Sequence, residues 1–337
     1  MSTTDPATPS QSSARPSAAP VAPATAKAVP LTGVALGIDV GGTGIKAAIV
    51  DLASAELLTE RVRIKTPQPS EPAAVIEVMR EVVTQVLAQH PPVDELPIGC
   101  GLPGAIKYGH MKTAANLDKG WVDFDATAAI STSLGRPVHV INDADAAGMA
   151  ELAFGEARDR PGTTILLTIG TGIGSALISE GRLVPNTELG HLFMGGSGKD
   201  AETRVSGTSR ERRGLGWKRW SREFNAYLAM LEFFFWPDRI IIGGGVSKES
   251  KKYWGLLTTN CQLVGARYLN TSGIIGAAYA AGLATHTARA AAAESAAAKA
   301  STPGKRAPAA RRRPSRTTSA GRDPGSRRRP RPAASAD

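Results

Sequence analysis

Val34-Ala35-Leu36-Gly37-Ile38-Asp39-Val40-Gly41-Gly42-Thr43-Gly44-Ile45-Lys46-Ala47-Ala48-Ile49-Val50 is a stretch of this 337-residue chain that returns, altered, as Thr164-Ile165-Leu166-Leu167-Thr168-Ile169-Gly170-Thr171-Gly172-Ile173-Gly174-Ser175-Ala176-Leu177-Ile178. Each copy reads as an apolar strand (Val34–Ile38, Thr164–Thr168), a glycine turn and a second strand (Ile45–Val50, Ser175–Ile178). Gly41 and Gly170, Gly42 and Thr171, Thr43 and Gly172, Gly44 and Ile173, and Ile49 and Ile178 correspond at one constant offset. A unit repeated about half a body apart predicts two α/β lobes of one plan facing each other. A third glycine turn, Gly243-Gly244-Gly245, follows the apolar strand Arg239–Ile242.

Between the copies the pattern alternates. Val75, Val78, Met79, Val82, Val83, Val86 and Leu87 fall at helical spacing over about 71–90, with Ser70 and Pro72 suited to its start and Pro91-Pro92 to its stop. Pro97–Leu102 and Pro137–Ile141 read as strands, 125–134 as a helix closed by Gly135, and Asp145–Phe154 as a helix closed by Gly155. In the second half, Trp217, Trp220, Phe224, Tyr227, Leu228 and Leu231 form an apolar helical stripe that belongs to the core. The expected divisions are 31–142 for the first lobe, 143–272 for the second and 273–285 for a helix returning to the first.

Charge sits at one end. The net charge is +10, but eleven Arg and Lys against Asp323 and Asp337 in residues 301–337 supply +9, leaving a nearly neutral body. Residues 1–30 are mostly Ala, Pro, Ser and Thr, and 286–337 read alike with arginine added; both predict disorder, with room for helix in the Ala-rich 288–300. The tail is either a solubilising segment or a nonspecific binder of polyanions. Two cysteines, Cys100 and Cys261, fit a reducing compartment and the cytoplasm. No apolar run is long enough for a membrane span, and the N-terminus lacks a secretory signal pattern.

Glycine turns at strand ends bring backbone N–H groups close to an anion, and two facing turns can hold a phosphate chain from both sides. Paired tight hairpins are the plain alternative. No Gly-Lys-Ser/Thr follows at Walker spacing. Asp39 stands where a carboxylate holds Mg²⁺ against phosphates, through water, or caps the turn. Lys46 either neutralises phosphate or is solvated. Asn142-Asp143 ends a strand, where α/β sheets place ligands. Asp143 there can take a hydroxyl proton, although spacing alone favours a helix cap. Glu188 and His191 are spaced to contact vicinal hydroxyls, and no second His or Cys nearby suggests zinc. Arg204, Arg210, Arg212, Arg213, Lys218, Arg219 and Arg222 form either a solvated face or a groove for a long anion.

Asp39–Lys46, Asn142–Ala147, Thr168–Gly174, Glu188–His191 and Gly243–Ser247 occur in the order of the ROK sugar kinases, which the chain resembles over roughly 33–284. The resemblance implies the two-lobed actin-like ATPase (hexokinase/RNase H-like) fold, with duplicated mixed-sheet lobes and an interlobe cleft. It also implies a homodimer. By the same resemblance Asp143 is the catalytic base, and Asn142, Glu188, His191 and Glu202 hold the sugar, with Asn116 a weaker candidate. Gly41, Gly42, Thr43 and Gly44, and Thr168, Gly170, Thr171 and Gly172, are the phosphate motifs; Gly243, Gly244 and Gly245 contact adenosine. Most ROK proteins carry a cysteine-rich zinc motif before that glutamate, and Gly195–Ala201 has no cysteine. In this, and in Ala114–Asn116 and Gly198–Glu202, the chain resembles actinobacterial polyphosphate glucokinases. The implied substrates are glucose or mannose, with polyphosphate, ATP or both as donors. An ATP-only hexokinase is the alternative. A sugar-responsive regulator would carry a helix-turn-helix, for which residues 1–32 are too short and too rich in Pro and Ala.

Overall fold

A computed structural model describes residues 29–114, 116–195 and 198–301; the predicted disorder of 1–28 and 302–337 lies outside them. Residues to Ala292 belong to one compact unit holding both sheets, and the described part of the second unit, from Ala293, is the end of a helix.

The first copy of the repeat forms β1 (Val34–Gly41) and β2 (Gly44–Asp51), an antiparallel hairpin in which Gly41 pairs with Gly44. The second forms β8 (Thr163–Ile169) and β9 (Ile173–Ser179), closed by the pair Ile169 and Ile173. Each hairpin gains one antiparallel neighbour, β3 (Val62–Ile64) or β10 (Arg182–Val184). On the other side each gains two parallel strands. These are β4 (Ile98–Leu102) and β7 (Val138–Asn142) in the first sheet, and β11 (Arg239–Gly243) and β12 (Gln262–Gly265) in the second. The strand orders, β3-β2-β1-β4-β7 and β10-β9-β8-β11-β12, match position for position. A small hairpin, β5 (Ile106–Lys107) and β6 (His110–Met111), stands apart from both and was not foreseen.

Helices fill three layers. α1 (Pro72–Leu87) and α2 (Ala126–Leu134) cover the first sheet, burying Val75, Met79, Val82, Val86 and Ile130. Glu71 rather than Ser70 precedes α1, and Ser70 is used elsewhere: its hydroxyl accepts from Asp118 N (3.0 Å) and its carbonyl from Trp121 Nε1 (2.9 Å). In the second half, α4 (Ala201–Val205), α5 (Gly207–Arg212) and α6 (Trp217–Phe235) follow the second glycine turn. The expected stripe of α6 is core: Trp220, Phe224, Tyr227, Leu228 and Leu231 are fully buried, and burying each such side chain stabilises by roughly 1.5–3 kcal/mol.

Between the sheets lie α3 (Asp143–Phe154) and the first turns of α7 (Ser272–Ser301), which bury Ile274, Ile275, Ala278 and Tyr279 there. α3 is buried on every side, as its run of small and apolar residues allows. It starts at Asp143, two residues before the sequence reading, because the Asn142 side chain caps it by accepting from Asp145 N (2.9 Å). α7 presses on β4 so closely that a Cβ on Gly99 would stand 1.9 Å from Ala277 O, and on α3 so closely that one on Gly276 would stand 1.6 Å from Ala146 O. Glycine at these crossings is a packing requirement. α7 also corrects the boundary at 285: residues 286–301, assigned to the tail by composition, continue the helix. Alanine is the best helix former, and no proline interrupts before Pro303. Among the described residues no helix is long and apolar enough to cross a membrane, and both cysteines are unpaired.

Candidate active site

The carboxyl ends of β1, β4, β7 and β8 open on a cleft of about 490 Å³. It is lined by Gly41, Gly42 and Thr43 of the first glycine turn and by Thr168, Gly170, Thr171 and Gly172 of the second. Asn116, Asn142, Asp143, Glu188, His191 and Glu202 line it too. Residues from five separate motifs are thus brought to one crevice.

Asp143 is half-buried at the first position of α3, its Oδ1 accepting from the N–H of Ala144 (2.8 Å). Burial foremost, then the negative charges of Asp39, Glu188 and Asp145, push its carboxyl up to about 7. Asn142 is buried and doubly engaged, capping α3 and donating from Nδ2 to Gly104 O (3.1 Å). Glu188 makes no cap bond to the turn Leu189–His191 that it precedes. Burial, and the charge of Glu202, raise its pKa against the opposing pull of His191. His191 is exposed; its Nδ1 lies 2.9 Å from Asp200 Oδ2, and that bond raises the imidazole pKa. Nδ1 carries the proton in that pairing, which leaves Nε2 for a ligand.

The first turn is held from behind by its carbonyls. Thr66 Oγ1 donates to Gly41 O (2.5 Å), Arg63 Nη2 to Thr43 O (3.0 Å) and Gln68 Nε2 to Gly42 O (3.5 Å). With these oxygens occupied, the turn is oriented to offer N–H groups to an anion. The second turn is held by Glu202, whose Oε2 accepts from Ile173 N (2.9 Å), and by Thr208, whose N–H donates to Gly170 O (3.3 Å).

Of the other expected residues, Asp39, Lys46, Gly44, Gly243 and Gly245 stand outside the lining. Lys46 and Asp39 form an ion pair (2.7 Å), so each partner carries the other's charge. Gly44 is buried behind the turn against the Arg63 guanidinium. Gly244 reaches the cleft in a left-handed conformation (φ 79°) with a Cβ's space taken by Ile169; Gly243 is buried in β11 and Gly245 is exposed beyond it. Among the described residues no three His, Cys, Asp or Glu side chains are placed to hold a metal. With Oδ2 taken by Lys46, Asp39 would have Oδ1 to offer a hydrated Mg²⁺.

Sequence reasoning missed the supports. Asp145 is buried, raised to about 7 by burial first, and one oxygen accepts from Asn186 N (2.7 Å). Asn186 in turn accepts from Ile106 N (2.6 Å) and donates to Ile106 O (2.8 Å). This latch fastens the β5–β6 hairpin, beside the cleft-lining Gly104 and Thr113, to the segment carrying Glu188. An asparagine two residues before Glu188 was the available signal; its partner 80 residues away was not readable.

The ROK family model matches residues 35–212. A polyphosphate glucokinase of Mycobacterium tuberculosis is 43% identical over 245 residues, which make up 72% of this chain and 89% of that protein. An inorganic polyphosphate/ATP-glucomannokinase from Arthrobacter sp. strain KM is 46% identical, with a TM-score of 0.72 over 75% of this chain and 99% of that one. A ROK hexokinase from Thermus thermophilus is 27% identical, with a TM-score of 0.61 over 76% and 100%. The paired mixed sheets are therefore those of the actin-like ATPase fold.

Proposed function

The chain belongs to the ROK family, and from that membership we propose that it phosphorylates the 6-hydroxyl of glucose with inorganic polyphosphate, and also with ATP. The observation that carries this reading is Asp143: a half-buried carboxyl raised to about 7, set in one cleft with both glycine turns. A sugar hydroxyl is a poor nucleophile until a base takes its proton, and a base poised near neutrality does so most effectively. The names borne by the Mycobacterium and Arthrobacter relatives support the choice of glucose and of both donors.

Asn116, Asn142, Glu188, His191 and Glu202 are assigned to the sugar, holding its 6-hydroxyl toward Asp143. The turns at Gly41–Thr43 and Gly170–Gly172, with Thr168, hold the donor so that the phosphorus faces that oxygen. Asp143 takes the hydroxyl proton as the new O–P bond forms and the anhydride bond to the leaving phosphate breaks. Lys46 balances charge beside Asp39. Mg²⁺, when bound near Asp39, supplies positive charge against the bridging and leaving oxygens. Gly243–Gly245 are assigned to adenosine when ATP is the donor. The reaction is placed in the cytoplasm, in keeping with two unpaired cysteines. The glucomannokinase likeness makes mannose a second acceptor to be tested. A homodimer is proposed from the family likeness.

The test is a panel of glucose and mannose against ATP and polyphosphates of several lengths, with nucleotide rigorously excluded from the polyphosphate arms. Sugar 6-phosphate from both donors is expected. Product with ATP and none with any polyphosphate would leave an ATP-only hexokinase; no product with either donor would remove the kinase reading.

A further inference from the structure

The seven basic residues between Arg204 and Arg222 do not act as one face. Arg210 is used in packing: its guanidinium stacks 4.1 Å from the Trp217 ring centroid, and Nη1 donates to Leu215 O (3.1 Å). Arg204, Arg212 and Arg213 instead meet Lys199 and Thr203 around a separate pocket of about 450 Å³ behind α4 and α5. Among the described residues four of its five lining side chains are cationic, and no carboxylate lines it.

Two of the four are held in place. Arg213 makes a two-pronged bond to Glu223 (2.9 Å from each nitrogen) and donates to Arg204 O (2.7 Å). Arg204 donates to Met194 O (2.9 Å) and lies 3.6 Å from Glu223. Glu223 neutralises about one of these charges. Lys199 and Arg212 are exposed and, among the described residues, have no carboxylate partner. The pocket thus holds two preset guanidinium groups and two unspent cations, a surplus that suits a multiply charged anion.

α5 connects this pocket to the donor turn. Its first residues abut the second glycine turn, where Thr208 N donates to Gly170 O and a Cβ on Gly207 would stand 2.8 Å from the same oxygen. Its last residue is Arg212. At 1.5 Å per residue the helix carries the chain about 8 Å from the turn to the pocket. ATP presents three phosphates and then a nucleoside, whereas a long donor continues as anion.

We propose that the pocket formed by Lys199, Arg204, Arg212 and Arg213 is a subsite for the distal part of long-chain inorganic polyphosphate whose terminal phosphate lies between the glycine turns. This deepens the donor reading under "Proposed function" and rests on it. The subsite explains how one catalytic cleft serves a nucleotide and a polymer: the polymer gains additional contacts outside the cleft, and the nucleotide does not reach them.

The experiment compares the full chain with the double variant Lys199→Gln/Arg212→Gln, which removes the two unpaired cations and leaves the Glu223 network intact. KM is measured for long-chain polyphosphate, tripolyphosphate and ATP, and Kd for long-chain polyphosphate is measured without sugar. Expected is a rise of about 5- to 30-fold in KM and Kd for the long chain, with tripolyphosphate and ATP unchanged. The slope of log Kd against log salt should shrink by about 1.4, at about 0.7 for each lost phosphate contact. An unchanged long-chain Kd overturns the subsite, as does an equal loss with ATP. A larger loss for a single-stranded oligonucleotide of matched charge than for polyphosphate would overturn the choice of ligand. If the wild type binds long-chain polyphosphate through these residues yet makes no sugar phosphate from it, the subsite stands and the donor reading fails.

Discussion

The first glycine turn is backed by cations and the second by a carboxylate. Behind Gly41–Gly44 stand Arg63, bonded to Thr43 O, and Lys46, paired with Asp39. Behind Gly170–Gly172 stands Glu202, which takes the N–H of Ile173 and also lines the cleft. The hairpins share a sheet plan, but the first closes at Gly41 and Gly44 around two residues and the second at Ile169 and Ile173 around three, so the difference lies in the turn itself as well as in what packs behind it. The first is furnished to receive an anion. The second spends part of its N–H edge on a carboxylate that also lines the cleft.

The largest effect is expected at Asp143, where both halves converge. Asp143→Asn should lower kcat by about two to four powers of ten while glucose binding persists. In the wild type kcat/KM should rise with pH through about 7, since the base works only when ionised. The stability sign is opposite. The folded carboxyl holds its proton more tightly than the free group near 3.8, so the stabilisation is complete below about pH 4 and lost as pH rises through about 7. The Asn variant should therefore melt above the wild type at pH 8 and lose that advantage near pH 4. Near-normal turnover in the variant, or a lower melting temperature at pH 8, would break the account of this residue.

A smaller effect separates the turns. A Cβ on Gly172 would stand 2.3 Å from the Glu202 carboxylate, whereas one on Gly41 would meet only Gly44 O at 3.5 Å, an ordinary contact. Gly172→Ala should displace Glu202 from Ile173 N and lower kcat/KM for glucose by about tenfold, the scale of a 1–3 kcal/mol overpacking. Gly41→Ala should stay within about twofold. Equal losses would mean that the two turns do not differ in their backing.

The smallest effect concerns the β5–β6 hairpin, which has no counterpart among the described residues of the second half. Asn186→Ala removes both side-chain bonds to Ile106. At roughly 0.5–1.5 kcal/mol per bond, partly recovered by water, it should raise KM for glucose about 3- to 10-fold with kcat nearly unchanged. A fall in kcat at constant KM would show that the latch serves the chemistry instead of the cleft wall.

Much of this molecule was legible in its residues. The repeat around Gly41 and Gly170 announced two like halves, and the periodicity of α1 and α6 marked their core faces. Asn142-Asp143 was legible as a helix start and as a place at the cleft: Asn142 caps α3, and Asp143 lines the cleft. Arg63, Thr66 and Gln68 gave no signal, and Asn186 showed only its place beside Glu188, because each acts on a backbone group 20 or more residues away. The basic run from Arg204 to Arg222, read as a solvated face or a groove for a long anion, does not act as one unit. Adjacent in sequence, its members divide in space between a stacking contact, a solvated helix face and a pocket completed by Lys199.

What the sequence alone determined was local. Strand, turn and helix depend on neighbours a few positions apart, so periodicity and glycine placement fixed the hairpins, α6 and the order of the motifs. Proton affinity and anion affinity depend on distance through space and on water excluded by whatever packs alongside. Only the folded chain could therefore set Asp39 near Asp143, put Glu202 behind Gly172, and bring Lys199 to Arg212 with no carboxylate partner for either among the described residues.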